Sequence, residues 1–173
     1  TAGRTGATAA DPCRALRSCR GSRLPRSAKP HDAVLGRVDR LGGYADVSLH
    51  PSARVTPGVV VYRLDDRLFF ANTNYVTARV LEAIDAAPDD TRWLVFDAES
   101  VADVDASGVA ALLQLVEQLR ARGITFVVAR LKSPLAEKFD ATGLTARIGP
   151  ENMVPTVERA VAMCAERSAL ATT

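Results

Sequence analysis

Residues 93–113 constrain the fold of this chain more than any other stretch. A short apolar run from Trp93 ends at Asp97, which suits a buried strand, and an acidic loop with Asp103 and Asp105 follows. Apolar side chains then recur every three or four positions, the spacing of an α-helix: Val109, Leu112, Leu113, Val116 and Leu119. We predict strand, loop and helix, with the functional site in the loop, because α/β sheets commonly bind ligands at the carboxyl ends of their strands.

Further strands are expected on both sides of this stretch. Continuous apolar runs predict buried strands at residues 59–64 and 124–129, and a weaker pattern within residues 47–55 predicts an edge strand broken by proline. Residues 65–67 are typical of a tight turn, so we expect residues 68–70 to fold back as a hairpin. The pieces 35–38 and 41–44 are rich in glycine and resemble turns rather than strands.

Helices are predicted between these strands. One begins after Asn72 or Thr73, which can act as capping residues, and another begins at Ser133-Pro134. A last helix is expected from Pro155 onward. The alternation of strands and helices predicts an α/β domain over residues 31–166, with a mixed or parallel sheet covered by helices.

The charge of the chain is divided unevenly. Residues 1–30 contain seven basic residues and one acidic residue, whereas residues 31–173 contain fifteen basic and nineteen acidic residues. We predict a basic flexible tail over residues 1–30, either a linker or added sequence, or a juxtamembrane segment that lies against anionic lipid. Residues 167–173 are expected to be a disordered end. Because the folded part is mildly acidic, nucleic acid is not an expected partner.

Motifs for catalysis and metal binding are absent from the sequence. It has no glycine-rich phosphate loop and no H-E-x-x-H or C-x-x-C motif, and its three cysteines lack the spacing of metal ligands. We therefore predict a protein that is not an enzyme, with no catalytic or metal-binding residue and no required cofactor. One enzymatic alternative stays open: Asp97 as the nucleophile of an aspartate-based phosphatase, although Glu99 departs from the Asp-x-Asp pattern of such enzymes.

The acidic loop has two interpretations. Asp103 and Asp105, together with Asp97, offer carboxylate oxygens that can hold Mg²⁺. Alternatively, Asp105 caps the helix that begins near Ser107, where a carboxylate accepts hydrogen bonds from free amides and meets the positive end of the helix dipole. The capping interpretation is favoured.

The motif at residues 103–108, Asp-Val-Asp-Ala-Ser-Gly, resembles the corresponding loop of STAS domains, the family named after sulfate transporters and anti-sigma-factor antagonists. The strand that ends at Asp97 and the strand that follows Arg122-Gly123 also match, and the resemblance covers roughly residues 30–165. It implies the STAS fold, a mixed four- to five-stranded sheet flanked by about four helices.

Two branches of this family differ at one position. In anti-sigma-factor antagonists, the residue after the loop aspartate is a serine or threonine that a kinase phosphorylates, and here that residue is Ala106. Residues 29–38, 54–63, 68–72 and 148–150 instead resemble SulP-type anion permeases. The resemblance therefore implies a cytoplasmic, C-terminal, non-catalytic regulatory domain of a sulfate or other anion transporter. A stand-alone signalling module of the anti-sigma-factor-antagonist type is the alternative.

The resemblance also implies ligands and partners. The expected partners are the membrane domain of the parent transporter at the cytoplasmic face of the membrane, a cytosolic regulatory protein, and a second copy in a homodimer of the parent. GTP, GDP or ATP is a further expected ligand. The free amides of residues 107–109 can accept a phosphate, although Asp103 and Asp105 oppose a bare anion there unless Mg²⁺ intervenes or they contact the base or ribose. The recognition loop that we predict consists of Asn72, Thr73, Asp103, Asp105, Ala106, Ser107 and Gly108.

Overall fold

The computed structural model describes residues 29–39 and 42–171, so the predicted tail lies outside the described residues except for Lys29 and Pro30. The described residues form these elements, in chain order: β1 (Asp32–Val38), β2 (Gly43–Asp46), β3 (Val59–Leu64), α1 (Thr73–Asp85), β4 (Trp93–Asp97), α2 (Ala106–Ala121), β5 (Thr125–Ala129), α3 (Ser133–Ala141), α4 (Leu144–Ile148), a 3-10 turn (Pro150–Asn152), β6 (Met153–Val154) and α5 (Val157–Ala171).

The strands form one mixed sheet in the order β2-β1-β3-β4-β5-β6. β1 pairs antiparallel with β2 and β3, whereas β3 to β6 run parallel to one another. The predicted mixed α/β architecture is confirmed, although the described sheet has six strands rather than four or five. Because parallel strands end at the same edge, the connections that follow β3, β4 and β5 lie together.

The glycine-rich pieces near the start of the domain belong to strands and not to turns. Gly36 lies within β1, and a Cβ atom at this position would come within 3.0 Å of Val47 Cγ1 and 3.1 Å of Ala53 Cβ. The glycine therefore allows the segment after β2 to pack directly on β1. The edge strand predicted within residues 47–55 is wrong, since this segment turns repeatedly and only Arg54 pairs, with Arg37.

The two faces of the sheet pack against different helices. Val60 and Tyr62 of β3 belong to the apolar cluster that includes α1 and α2, while Val59 and Val61 pack with α5 on the opposite face. This alternation follows from the two-residue period of a strand. Cys164 lies buried under the sheet, and burial raises the pKa of its thiol to about 12, so it behaves as an apolar side chain.

Helix α5 extends further than predicted. It continues to Ala171, so the prediction of a disordered end is wrong for residues 167–171, and residues 172–173 lie outside the described residues. Trp93 Nε1 donates a hydrogen bond to Ser168 Oγ at 2.8 Å, and the Arg167 guanidinium lies 5.9 Å from the Trp93 ring. These contacts hold the last turns of α5 against the start of β4. The several alanines of α5 also favour a helix through their high intrinsic propensity.

Candidate functional site

The connection from β3 to α1, residues 65–72, crosses the amino end of α2. Leu68 N donates to Asp103 O at 3.0 Å, and Asp105 N donates to Leu68 O at 3.1 Å. Leu68 thereby pairs in parallel with Val104. The predicted hairpin is wrong, because the buried Leu68 pairs with the acidic loop and not with β3.

Asp105 joins this connection to α2. Its Oδ1 accepts a hydrogen bond from Gly108 N at 2.7 Å, which is the expected cap of α2, and its Oδ2 accepts one from Phe70 N at 3.0 Å. One carboxylate therefore satisfies a free amide of the helix and an amide of the neighbouring connection. The capping interpretation is confirmed.

The amides proposed as a phosphate site are mostly occupied. Gly108 N is bonded to the Asp105 carboxylate, and Val109 N is bonded to Asp105 O at 2.9 Å. The Asp105 carboxylate also adds negative charge where a phosphate would sit, and this opposes a second anion. The expectation of three free amides at residues 107–109 is therefore wrong for two of them.

The carboxylates considered as Mg²⁺ ligands have separate protein partners. Asp97 pairs with Arg130, Asp103 pairs with Lys138, and Asp105 accepts hydrogen bonds from the two amides. Across residues 29–39 and 42–171, no group of three or more His, Cys, Asp or Glu side chains is arranged to hold a metal ion.

Gly108 permits the close approach between α2 and the connection. A Cβ atom at this position would lie 2.7 Å from Leu68 O and 2.7 Å from Val104 Cγ1. Both distances are shorter than a van der Waals contact, so any larger residue would push the connection away from the helix. The glycine of the loop motif is therefore required for this close packing.

Asn72 and Thr73 have structural roles. Asn72 is fully buried, its Oδ1 accepts from Phe69 N at 2.9 Å, and its Nδ2 donates to Arg67 O at 2.9 Å. It occupies the N-cap position of α1, but its side chain makes no capping hydrogen bond, since both polar atoms fold back onto the preceding turn. Thr73 is also buried, and neither side chain lies open to a ligand.

We name five exposed residues of the β3–α1 connection, of the acidic loop and of the first turn of α2 the α2 N-terminal surface: Arg67, Phe70, Asp103, Ala106 and Ser107. Phe70 is 72% exposed and meets Phe69 edge to face, with ring centroids 5.5 Å apart. The Arg67 guanidinium lies 4.7 Å from the centre of the Phe69 ring. The surface thus contains an exposed aromatic ring and an arginine, two residue types that are enriched at protein interfaces, beside small and acidic residues that are not.

Two residues of this region were not predicted from the sequence. Lys138 of α3 forms an ion pair with Asp103 and donates to Val104 O at 2.9 Å, and this pairing lowers the pKa of the Asp103 carboxyl. Phe70 was assigned to a strand and not to a surface. The sequence signal for Phe70 is a pair of aromatic residues that ends two positions before the N-cap of α1. Nothing local points to Lys138, which lies 35 residues from Asp103.

Asp97 lies outside this surface. Its side chain is fully buried, it accepts two hydrogen bonds from Arg130, and its Oδ1 accepts one from Glu99 N at 3.2 Å. A phosphatase nucleophile needs an oxygen that can reach its substrate. The geometry therefore gives Asp97 a structural role and does not favour the phosphatase alternative.

Comparison with known proteins agrees with this architecture. The family model described as "STAS domain" matches residues 50–160. The chain belongs to the STAS domain family. A probable sulfate transporter of Mycobacterium tuberculosis is 41% identical to this STAS domain over 138 residues, which are 80% of this chain and 25% of that protein. The chain thus spans about a quarter of the length of this relative.

Solved structures share the STAS fold in both branches of the family. The STAS domain of a SulP transporter from Vibrio cholerae has a TM-score of 0.56 and 24% identity, and the match covers 71% of this chain and 94% of that one. The unphosphorylated anti-sigma-factor antagonist SpoIIAA has a TM-score of 0.53 and 23% identity, covering 65% and 92%. The fold alone therefore does not choose between the branches. In the part of the STAS domain that the structure describes, no helix has the length and apolarity of a membrane span.

Proposed function

We propose that this domain is a non-catalytic regulatory part of a sulfate or related anion transporter and lies at the cytoplasmic face of the membrane. The observation that carries the proposal is the 41% identity to a probable sulfate transporter across 138 residues. Identity at this level, over most of the domain, includes its surface as well as its core, whereas the fold is common to both branches. The role of the domain is to bind the membrane part of the same protein, or a regulatory protein, and so to change transport.

The α2 N-terminal surface is the docking site in this proposal. Its backbone is held in place by Asp105, Asn72 and Gly108, so little conformational entropy is lost when a partner binds. Phe70 provides an aromatic side chain that a partner pocket can enclose, which is a common source of binding energy at interfaces. Ala106 and Ser107 beside it are small and allow a partner to approach closely.

Photo-crosslinking in the complete gene product tests this docking site. A photoreactive amino acid at position 70 is expected to form adducts within the same polypeptide or with its second copy, at peptides outside residues 29–171. Leu170 is the matched control, because it is 78% exposed but lies on α5. Equal yields and equal adducts from positions 70 and 170 would contradict the docking site.

The anti-sigma-factor-antagonist alternative depends on a phosphorylation switch. Ala106 has no hydroxyl group, and although the adjacent Ser107 is exposed, it occupies a different position of α2. A partner kinase of that branch would have to phosphorylate Ser107. Incubation of the domain with cell lysate and ATP, followed by mass spectrometry, would favour the alternative if Ser107 became stoichiometrically phosphorylated.

Nucleotide binding stays a prediction. Two amides at the start of α2 already have hydrogen-bond acceptors and cannot bind a phosphate. A nucleotide at the α2 N-terminal surface would therefore bind through its base and ribose, or through Mg²⁺ beside Asp103. A titration of the labelled domain with GTP or ATP and Mg²⁺ is expected to shift the amide resonances of residues 71–76 and 103–110. Shifts confined to the cleft of about 560 Å³ that contains Arg92, Trp93 and Arg167 would contradict this placement, and no shifts would contradict binding.

A further inference from the structure

The residues that lead the chain into β1 are bonded to the start of the β3–α1 connection. Asp65 N donates to His31 O at 3.0 Å, and the His31 ring meets Asp65 Oδ2 at 2.7 Å. Arg63 Nε lies 2.7 Å from Asp65 Oδ1. Asp65 therefore connects the lead-in to the connection through both its backbone and its side chain.

The next residue, Asp32, is the first residue of β1 and is bonded to α1 on the other side of the sheet. Asp32 accepts hydrogen bonds from Tyr75 Oη at 3.1 Å and from Arg79 Nε at 3.0 Å. Its side chain is only 5% exposed, whereas that of His31 is 60% exposed. Of the two attachments, the one at His31 is thus the more open to water and the more readily broken.

The β3–α1 connection is held by hydrogen bonds at several points along its length. Asn72 bonds Arg67 O and Phe69 N, which closes residues 67–72 into one turn. At the far end, Leu68 exchanges backbone hydrogen bonds with the acidic loop, and Phe70 N is bonded to Asp105. Asp65 is joined to this turn by the backbone of Asp66, whose Oδ1 accepts a hydrogen bond from Arg67 N at 2.7 Å. A displacement at Asp65 therefore reaches Phe70 through this short stretch of backbone and then through the hydrogen-bonded turn.

We propose that residues 65–72 act as a strap that couples the position of the lead-in at His31, directly before β1, to the α2 N-terminal surface. When the His31–Asp65 attachment opens, the strap loosens, the hydrogen bond from Phe70 N to Asp105 weakens, and Phe70 loses its fixed position. Pulling or twisting of the chain before β1 thus changes the binding surface without any contact to it. In treating that surface as a binding surface this inference rests on the proposed function, whereas the coupling itself is a property of the domain alone.

Amide hydrogen exchange of the domain tests the coupling. In Asp65→Asn, exchange at the Phe70 and Gly108 amides is expected to quicken about tenfold, since a hydrogen-bond acceptor loses its charge at the other end of the strap. Val127 in β5 is the reference for global unfolding, and Asp85→Asn is the matched control. Asp85 is an exposed carboxylate at the end of α1 that pairs with Arg122, so this variant makes the same change of charge away from the contacts of His31, Asp32 and Asp65.

The result that would overturn the strap is a faster exchange of the Asp65 amide with unchanged exchange at Phe70 and Gly108. If Asp65→Asn also quickens exchange at Val127, the milder His31→Ala decides. That variant removes only an exposed side chain, and it is expected to quicken exchange at Phe70 roughly threefold while Val127 stays unchanged. Wild-type exchange at Phe70 in His31→Ala would then contradict the proposal.

Discussion

Asp97→Asn is expected to lower the free energy of unfolding by about 3 kcal/mol, the lower end of the range for a broken buried ion pair. Asp97 is fully buried and accepts hydrogen bonds from Arg130 through both carboxylate oxygens. The neutral amide removes the charge that balances the guanidinium and presents hydrogens to it. The loss stays at the lower end because 32% of the Arg130 side chain is exposed and can still be hydrated.

Glu99→Gln is the control for this prediction. Glu99 pairs with the same Arg130, but its side chain is 55% exposed, so its removal is expected to cost less than about 1 kcal/mol. Urea denaturation followed by circular dichroism measures both variants, and the dependence on urea should be unchanged in each. An equal decrease in the free energy of unfolding in the two variants would show that the burial of Asp97 does not account for its contribution to stability.

Gly108→Ala is expected to destabilise the domain by about 1–3 kcal/mol, the usual cost of overpacking. Alanine inside a helix ordinarily stabilises a protein by roughly 0.5–1 kcal/mol over glycine. The steric clash therefore has to cost more than this for Gly108→Ala to destabilise the domain. The added Cβ atom would lie 2.7 Å from Leu68 O, a backbone atom that accepts a hydrogen bond from Asp105 N and cannot move without breaking it.

Gly43→Ala is the matched control for Gly108→Ala. Gly43 lies in β2, and a Cβ atom there would have no atom within 4 Å. The free energy of unfolding of Gly43→Ala is therefore expected to differ from that of the wild type by less than about 0.5 kcal/mol. Thermal denaturation compares the two variants. If Gly108→Ala were as stable as the wild type, or more stable, the connection would be free to shift and the tight contact would not be required.

The parts of the site that follow from local chemistry could be predicted from the sequence. The start of α2 and its cap at Asp105 need only a carboxylate three residues before a free amide, and both are present. The central strands β4 and β5 were recognisable because continuous apolar runs mark buried parallel strands. The mixed α/β architecture followed from the family resemblance and from the alternation of strands and helices, but the order of the strands in the sheet was not predicted.

The parts that depend on distant residues could not be predicted. Leu68 pairs with Val104, and Lys138 pairs with Asp103, and no local pattern identifies either partner. Asn72 illustrates a different difficulty: the same amide that can cap a helix can instead bond to the turn before it, and tertiary packing decides between them. β1 was not predicted because Gly36 was interpreted as a turn residue, whereas it allows close packing within a strand.

Transport by the complete gene product tests the central claim most directly. Phe70→Ser is expected to lower the initial rate of sulfate uptake by about fivefold or more in a strain without its own sulfate transporter, since truncation of an interface anchor commonly costs more than 1 kcal/mol. Leu170→Ser, which removes an equally exposed apolar side chain from α5, should transport as the wild type does at equal abundance. Wild-type uptake in Phe70→Ser, or equal losses in both variants, would contradict a regulatory role for the α2 N-terminal surface.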